Sequence, residues 1–215
     1  MTKPIQVFIS GIGTEIGKTL CSSILVKAMD ADYWKPVQAG NFDEPDREFV
    51  KSMAQNSASR FFDERYFLKT PCSPHLAAKI DGIQMQLNDF QIPDTTRNLV
   101  VEGAGGLLVP ISERHTVIDL IEHLGLPVIL ISKHYLGSIN HTLLSIEALR
   151  HRKIPLLGVL FNGGENPESE QIICQLGNVK SLGTVNQIDP ITPENIEKEA
   201  IRLREQILTL LNMRS

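Results

Sequence analysis

The sequence predicts a single α/β domain over residues 1–215, with a mainly parallel central sheet and helices on both faces. Three observations predict it: short apolar runs alternate with segments of helical period, the middle runs are apolar almost throughout, and a glycine-rich turn joins the first run to the first helical segment. Such alternation gives parallel strands joined by right-handed crossovers, and runs with no polar face belong to strands covered on both sides. At 215 residues and 42% hydrophobic content the chain can fill one core.

Taken in order, the first strand is IQVFI (5–9), followed by the turn GIGTEIGKT and the helical segment KTLCSSILVKAM. DYWKPV (32–37) reads as the second strand. Residues 41–96 are the least regular part, with NFDEPD, KTPCSPH and QIPDTT as loop signals, and fit an insertion between strands of one domain. NLVVEG (98–103) is the next strand. In HTVIDLIEHLG, Val117, Leu120, Ile121 and Leu124 share a helical face, and Gly125-Leu126-Pro127 ends the helix. Strand PVILIS (127–132), a helix starting around Ser138, strand LLGVLF (156–161), helix PESEQIICQLG and strand SLGTV (181–185) follow. The last helix, PENIEKEAIRLREQILTLLNM, begins at Pro193 with Thr192 as its cap.

Bulk properties narrow the function. Net charge is −4, the pI is near 5.9 and no long basic run exists, which argues against nucleic acid as the main partner. Cys21, Cys72 and Cys174 are odd in number and widely spaced, as expected of reduced thiols and not of a disulfide frame or zinc site. The six histidines show no ligand spacing. No run of eighteen apolar residues occurs and MTKPIQVFIS is too short for a signal peptide, so a soluble cytoplasmic protein away from membranes is expected.

The turn carries the chemistry. GIGTEIGKT (11–19) reads as a loop of the G-x-x-x-x-G-K-T kind, which makes the fold P-loop NTPase-like. Its backbone N–H groups would wrap an anionic oxygen cluster, Lys18 would reach the outer phosphates, and the Thr19 hydroxyl would ligate Mg²⁺. Ligands of parallel sheets gather at the carboxyl ends of strands, which singles out Lys35, Glu102 and Lys133. An acid closing a buried strand beside small residues, as Glu102 does, suits a metal-directed role better than a surface one. The helix starting near Ser138 would offer a second anion site. One nucleotide and a second anionic substrate are therefore expected.

Together these segments resemble the dethiobiotin synthetase family, in the family's order from the N-terminus to about residue 165. The carriers are GIGTEIGKT, WKPVQAG, the acid Asp46 before a helix, SPHLAA (73–78), VEGAGG (101–106), LGSINHTLL (136–144) and GVLFNG (158–163). The resemblance implies nucleotide contacts from Gly13, Thr14, Glu15, Ile16, Gly17, Lys18, Thr19 and Leu20, with Asn162 at the adenine. It implies substrate contacts from Lys35, Ala39 and Gly105, and from Gly137, Ser138, Ile139 and Asn140 across a homodimer. Mg²⁺ would be held by Thr19, Asp46 and Glu102, with Lys18 and Lys35 as the catalytic cations.

The reaction so implied joins CO₂ to 7,8-diaminononanoate at the cost of ATP, closing the ureido ring of dethiobiotin through a carbamate and a carbamic–phosphoric anhydride. Departures are Ala39 in place of a usual Ser or Thr, Gly13 in place of a usual Asp, and NQIDPITPEN without the usual Ile-Pro. Lys133 or Tyr135 stands where the family often has a basic residue. The main rival is a ParA- or MinD-like switch ATPase, whose signature lysine would fall at Gly13. A cobyrinate amidase-type synthetase would need a partner domain for which 215 residues leave no room. A module that only binds nucleotide would not need Lys35 or SPHLAA.

Overall fold

The computed structural model describes residues 4–212, with the backbone alone for Asn212. Among the described residues nine strands are formed: β1 Gln6–Gly11, β2 Asp32–Trp34, β3 Val37–Ala39, β4 Phe61–Phe62, β5 Tyr66–Leu68, β6 Leu99–Gly106, β7 Val128–Lys133, β8 Leu156–Asn162 and β9 Ser181–Val185. The helices are α1 Lys18–Met29, α2 Asp46–Ala54, α3 Pro74–Asp81, α4 Val117–Leu124, α5 Ser138–His151, α6 Pro167–Gly177 and α7 Pro193–Asn212. Seven strands make one parallel sheet in the order β4-β2-β6-β1-β7-β8-β9, and β3 pairs with β5 in a small parallel sheet of its own.

Alternation along each strand sorts the core into faces. Val7 and Ile9 of β1, Val100 of β6, and Ile129 and Ile131 of β7 join one cluster with α1 and α7. Their neighbours Phe8, Leu99, Val101 and Val128 join the opposite cluster with α3 and α4. Leu130, Val159 and Phe161 pack with Ile146 of α5 and Ile173 of α6. A two-residue period in a sheet covered on both faces demands this, and it explains why the strands read as continuous apolar runs.

One expectation is corrected. DYWKPV is not one strand: β2 stops at Trp34, and β3 leaves the main sheet to pair with β5. Pro36 has no N–H for a ladder, and its carbonyl instead accepts from the Tyr66 N–H at 3.0 Å. Residues 41–96 contain α2, α3 and β5 and supply β4 as an edge of the main sheet. The cap of α7 is as expected, with the Asn195 N–H donating to Thr192 Oγ1 at 3.3 Å. The predicted last residue of that helix, Met213, lies outside the described residues.

Because every strand of the main sheet is parallel, the carboxyl ends of β1, β2, β6, β7 and β8 open on one edge. The β1–α1–β2 connection crosses β6 in one direction and β6–α4–β7 crosses β1 in the other. The crevice between β1 and β6 is thus the switch point at which such sheets bind ligands.

Candidate active site

The loop from β1 to α1 is held open for an anion. Five residues, Ile12 to Ile16, separate Gly11 from Gly17, so Ile12 takes the place of the first glycine in strict G-x-x-x-x-G-K-T spacing. The strand pattern runs one residue further to allow it: the Ile12 N–H donates to the Ile131 carbonyl of β7 at 3.1 Å. Glu15 (φ 57°) and Gly17 (φ 82°) are both left-handed, which bends the loop back over its own start. The first backbone bond of α1 runs from the Cys21 N–H to the Gly17 carbonyl at 3.0 Å, and no side chain caps the helix. The N–H groups of Lys18, Thr19 and Leu20 are left for a ligand. Lys18 donates from its Nζ to the Gly13 carbonyl at 3.3 Å.

Asn162, at the end of β8, braces this loop. Its Nδ2 donates to the Ile16 carbonyl at 2.8 Å. A Cβ at position 17 would sit 2.2 Å from that nitrogen, so only glycine fits between loop and brace. Ile16 itself is buried in the α1 cluster, anchoring the loop from below.

Beside the loop lies a buried charged cluster. Glu102, on β6 opposite Ile9, is 0% exposed. Its Oε1 accepts from Thr19 Oγ1 at 3.0 Å and from Lys35 Nζ at 3.1 Å; its Oε2 accepts from the Tyr33 hydroxyl at 2.9 Å. Lys35, where the chain leaves β2, also donates to Asp46 Oδ2 at the first position of α2. Immediately after Glu102, β6 bulges away from β1: Ile9 faces Glu102, but Gly11 faces Gly106. The small residues there are required, since a Cβ at Gly103 would lie 2.6 Å from the Phe8 ring.

Two cations and two anions balance in this group. Burial lowers the Lys35 pKa, but Glu102 and then Asp46 outweigh it and hold the ammonium above its ordinary value. Burial raises that of Glu102, and Lys35 foremost, with Lys18, brings it below the usual carboxylate value. Lys18 is pulled down by burial, with Lys35 adding repulsion. An arriving phosphate relieves that strain, because it returns a counter-charge to a desolvated ammonium.

The donors suit a hard cation. Thr19, Glu102 and Asp46 offer a hydroxyl and two carboxylates, all oxygen, around the place where Lys35 now bridges the acids. Among the described residues no group of three or more His, Cys, Asp and Glu side chains could cage a metal. A cation here would therefore need phosphate or water oxygens as well, which is how Mg²⁺ is ordinarily held.

Known proteins resemble this chain in sequence and in fold. A family model described as an AAA domain matches residues 5–195. ATP-dependent dethiobiotin synthetase BioD of Christiangramia forsetii is 50% identical over 196 residues, covering 91% of this chain and 94% of its own. The enzyme of that name from Afipia carboxidovorans is 46% identical over 209 residues, covering 97% and 96%. The chain belongs to the dethiobiotin synthetase family. Solved structures with the same fold include a putative plasmid partition protein of Borrelia burgdorferi bound to AMPPNP and the cell division ATPase MinD of Pyrococcus furiosus. Each has a TM-score of 0.57, at 12% and 13% identity, covering 99% and 97% of this chain and all of its own. At that identity they share a fold and no more.

Against the family pattern, the structure gathers Lys18, Thr19, Lys35, Asp46 and Glu102 in one place. Gly105 lies beside the loop, where an added Cβ would be 3.5 Å from Thr14 Oγ1. Ala39 packs its methyl against the α3–α4 cluster, as the last residue of β3. The α5 end stands apart: Gly137 (φ 100°) caps it without a side chain, and among the described residues no hydrogen bond or ion pair joins 137–140 to the loop. Lys133 is exposed, and the Tyr135 hydroxyl lies 2.8 Å from His141 Nδ1. Tyr33 is the residue that sequence reasoning overlooked. Its signal was its place two residues before Lys35, since alternate residues of an extended chain share a face.

Proposed function

We propose that this chain is an ATP-dependent dethiobiotin synthetase that carboxylates 7,8-diaminononanoate with CO₂ and closes the ureido ring. The observation that carries the reading is the meeting of the P-loop with Lys35, Asp46 and Glu102 at the switch point. Two anions, a substrate carbamate and a triphosphate, must come together there, and concentrated positive charge is what allows it. The carbamate oxygen attacks the γ-phosphorus, ADP leaves, and the second amine displaces phosphate from the mixed anhydride to close the ring. Lys18 binds the β- and γ-phosphates, while Lys35 binds the carbamate and the moving phosphoryl group. The loop N–H groups from Gly13 to Leu20 cradle the phosphates. Asn162 faces the base: with Nδ2 given to Ile16, its Oδ1 is an acceptor suited to the amino group of adenine. Mg²⁺, when bound, offsets phosphate charge, and Thr19, Asp46 and Glu102 are the side chains to hold it.

Phosphate release from ATP is expected to require diaminononanoate and bicarbonate together. Hydrolysis at full rate without them would overturn this reading in favour of a switch ATPase. Glu102→Gln keeps size and removes one charge from the metal set. We expect kcat to fall about a hundredfold or more, with partial recovery as Mg²⁺ is raised; a fall unaffected by Mg²⁺, or loss of the fold, would make Glu102 structural.

The same reading makes the chain one cytoplasmic domain that works as a homodimer. Among the described residues no helix is long and apolar enough to cross a membrane. At the start of α5, Tyr135, Leu136 and Leu144 are exposed apolar side chains that a second subunit would cover. With the Ser138 N–H given to the Tyr135 carbonyl at 2.9 Å, the N–H groups of Gly137, Ile139 and Asn140 would then bind the substrate carboxylate in the partner's site, beside its Gly105 and Ala39. Ile139→Pro deletes one of these donors in the first helical turn, where proline is tolerated. Mixed with Lys18→Ala after subunit exchange, it should restore about a quarter of wild-type activity, since about half the dimers are mixed and each has one intact site. No recovery would mean that α5 serves its own subunit.

A further inference from the structure

We infer that Tyr33 is a positioning residue for metal binding, holding Glu102 by Oε2 so that Oε1 faces Thr19, Lys35 and the metal. The inference rests on Glu102 being a metal-directed acid, as proposed above. Glu102 is wholly buried, and its two oxygens are held by different groups: Oε2 accepts from Tyr33 (2.9 Å), while Oε1 receives Thr19 (3.0 Å) and Lys35 (3.1 Å). A carboxylate held at one oxygen cannot rotate about its Cγ–Cδ bond without breaking that bond, so Oε1 is pre-aimed. Preorganisation of this kind is how hydrogen bonds behind a ligand raise its affinity for metal.

Tyr33 itself is fixed from both sides. It is 0% exposed, paired across the sheet with Val100 on β6 and Phe61 on β4, and its ring tilts against Phe61 at 6.3 Å. Phenylalanine would pack as well but could not hold the acid. The main chain explains why the tyrosine comes from this position: β2 lies directly beside β6, with Tyr33 opposite Val100, two residues before Glu102.

The test is Tyr33→Phe, with Mn²⁺ affinity of the AMPPNP-bound protein read by electron paramagnetic resonance, and kcat followed against Mg²⁺. We expect Mn²⁺ affinity to fall about tenfold, nucleotide affinity without metal to be unchanged, and kcat to recover at saturating Mg²⁺. In a Glu102→Gln background the tyrosine substitution should change Mn²⁺ affinity no further. Unchanged or tighter Mn²⁺ binding, or an equal loss in both backgrounds, would overturn the inference. Ile207→Ala, a remote change in the same buried cluster, controls for lowered stability and should leave Mn²⁺ affinity alone. If Glu102→Gln itself binds Mn²⁺ like wild type, the metal reading fails, and the two failures are told apart. Should Tyr33→Phe not fold, 3-fluorotyrosine keeps the hydroxyl: the chain has three tyrosines, and Tyr66→Phe and Tyr135→Phe assign the remaining ¹⁹F signal. That signal should move when Mg²⁺ joins the AMPPNP complex, and a stationary signal would overturn the inference.

Discussion

Lys18→Ala is expected to lose turnover by about a thousandfold or more and nucleotide affinity by roughly ten- to a hundredfold. Among the residues of the loop, Lys18 is the only cation, and its ammonium already lies over the loop at the Gly13 carbonyl. Affinity falls because a charge-assisted bond to the phosphates is lost while the backbone cradle remains. Rate falls further, because negative charge moves between phosphoryl oxygens in the transition state and only a fixed cation can follow it. The change should not unfold the chain: burial disfavours the Lys18 charge, so the folded state is relieved of a desolvated ammonium. Calorimetric titration with AMPPNP alongside phosphate release measures both losses, and wild-type turnover would refute the assignment of the loop.

Lys35→Met is expected to remove turnover to a similar extent while leaving nucleotide affinity within a few-fold of wild type. Lys35 belongs to the carboxylate side of the site, where it pairs with Glu102 and Asp46. Its loss thus falls on the step where carbamate meets the phosphoryl group. Removing it also leaves Glu102 buried without its main counter-charge, which costs about 3–5 kcal/mol of the roughly 5–15 that hold a domain folded. Melting should fall accordingly, and the assays belong well below the new midpoint. Adding Glu102→Gln should return part of that stability but none of the turnover. Equal losses of nucleotide affinity and rate in Lys35→Met would place Lys35 in the nucleotide site instead. Lys35→Arg should rescue poorly, because a planar fork does not fill the place of a compact ammonium between two acids.

By itself the sequence determined the parts whose physics is local. The loop GIGTEIGKT turns a strand into a helix within nine residues, so its glycines and Lys18 are legible wherever they occur. The strand runs at 98–103, 127–132 and 156–161 are apolar because both faces are covered, and the first turn of α7 carries its own cap at Thr192. Lys35 and Glu102 stood out for the same kind of reason: each closes a run of residues that should be buried.

What only the tertiary structure decided is where those ends meet. Pro36 looked like part of a strand, but the missing N–H sends β3 to a second sheet and leaves Lys35 at the break, free to turn toward the acids. Asn162 was read as a base contact; its hold on the Ile16 carbonyl depends on β8 ending beside the loop, 146 residues further along the chain. Tyr33 was one more aromatic residue in a strand, because the partner of its hydroxyl is 69 residues away. Local pattern reports whether a side chain will be buried. Which charges share that burial is set by strand order and register, through contacts between residues whose separation along the chain leaves no periodic trace.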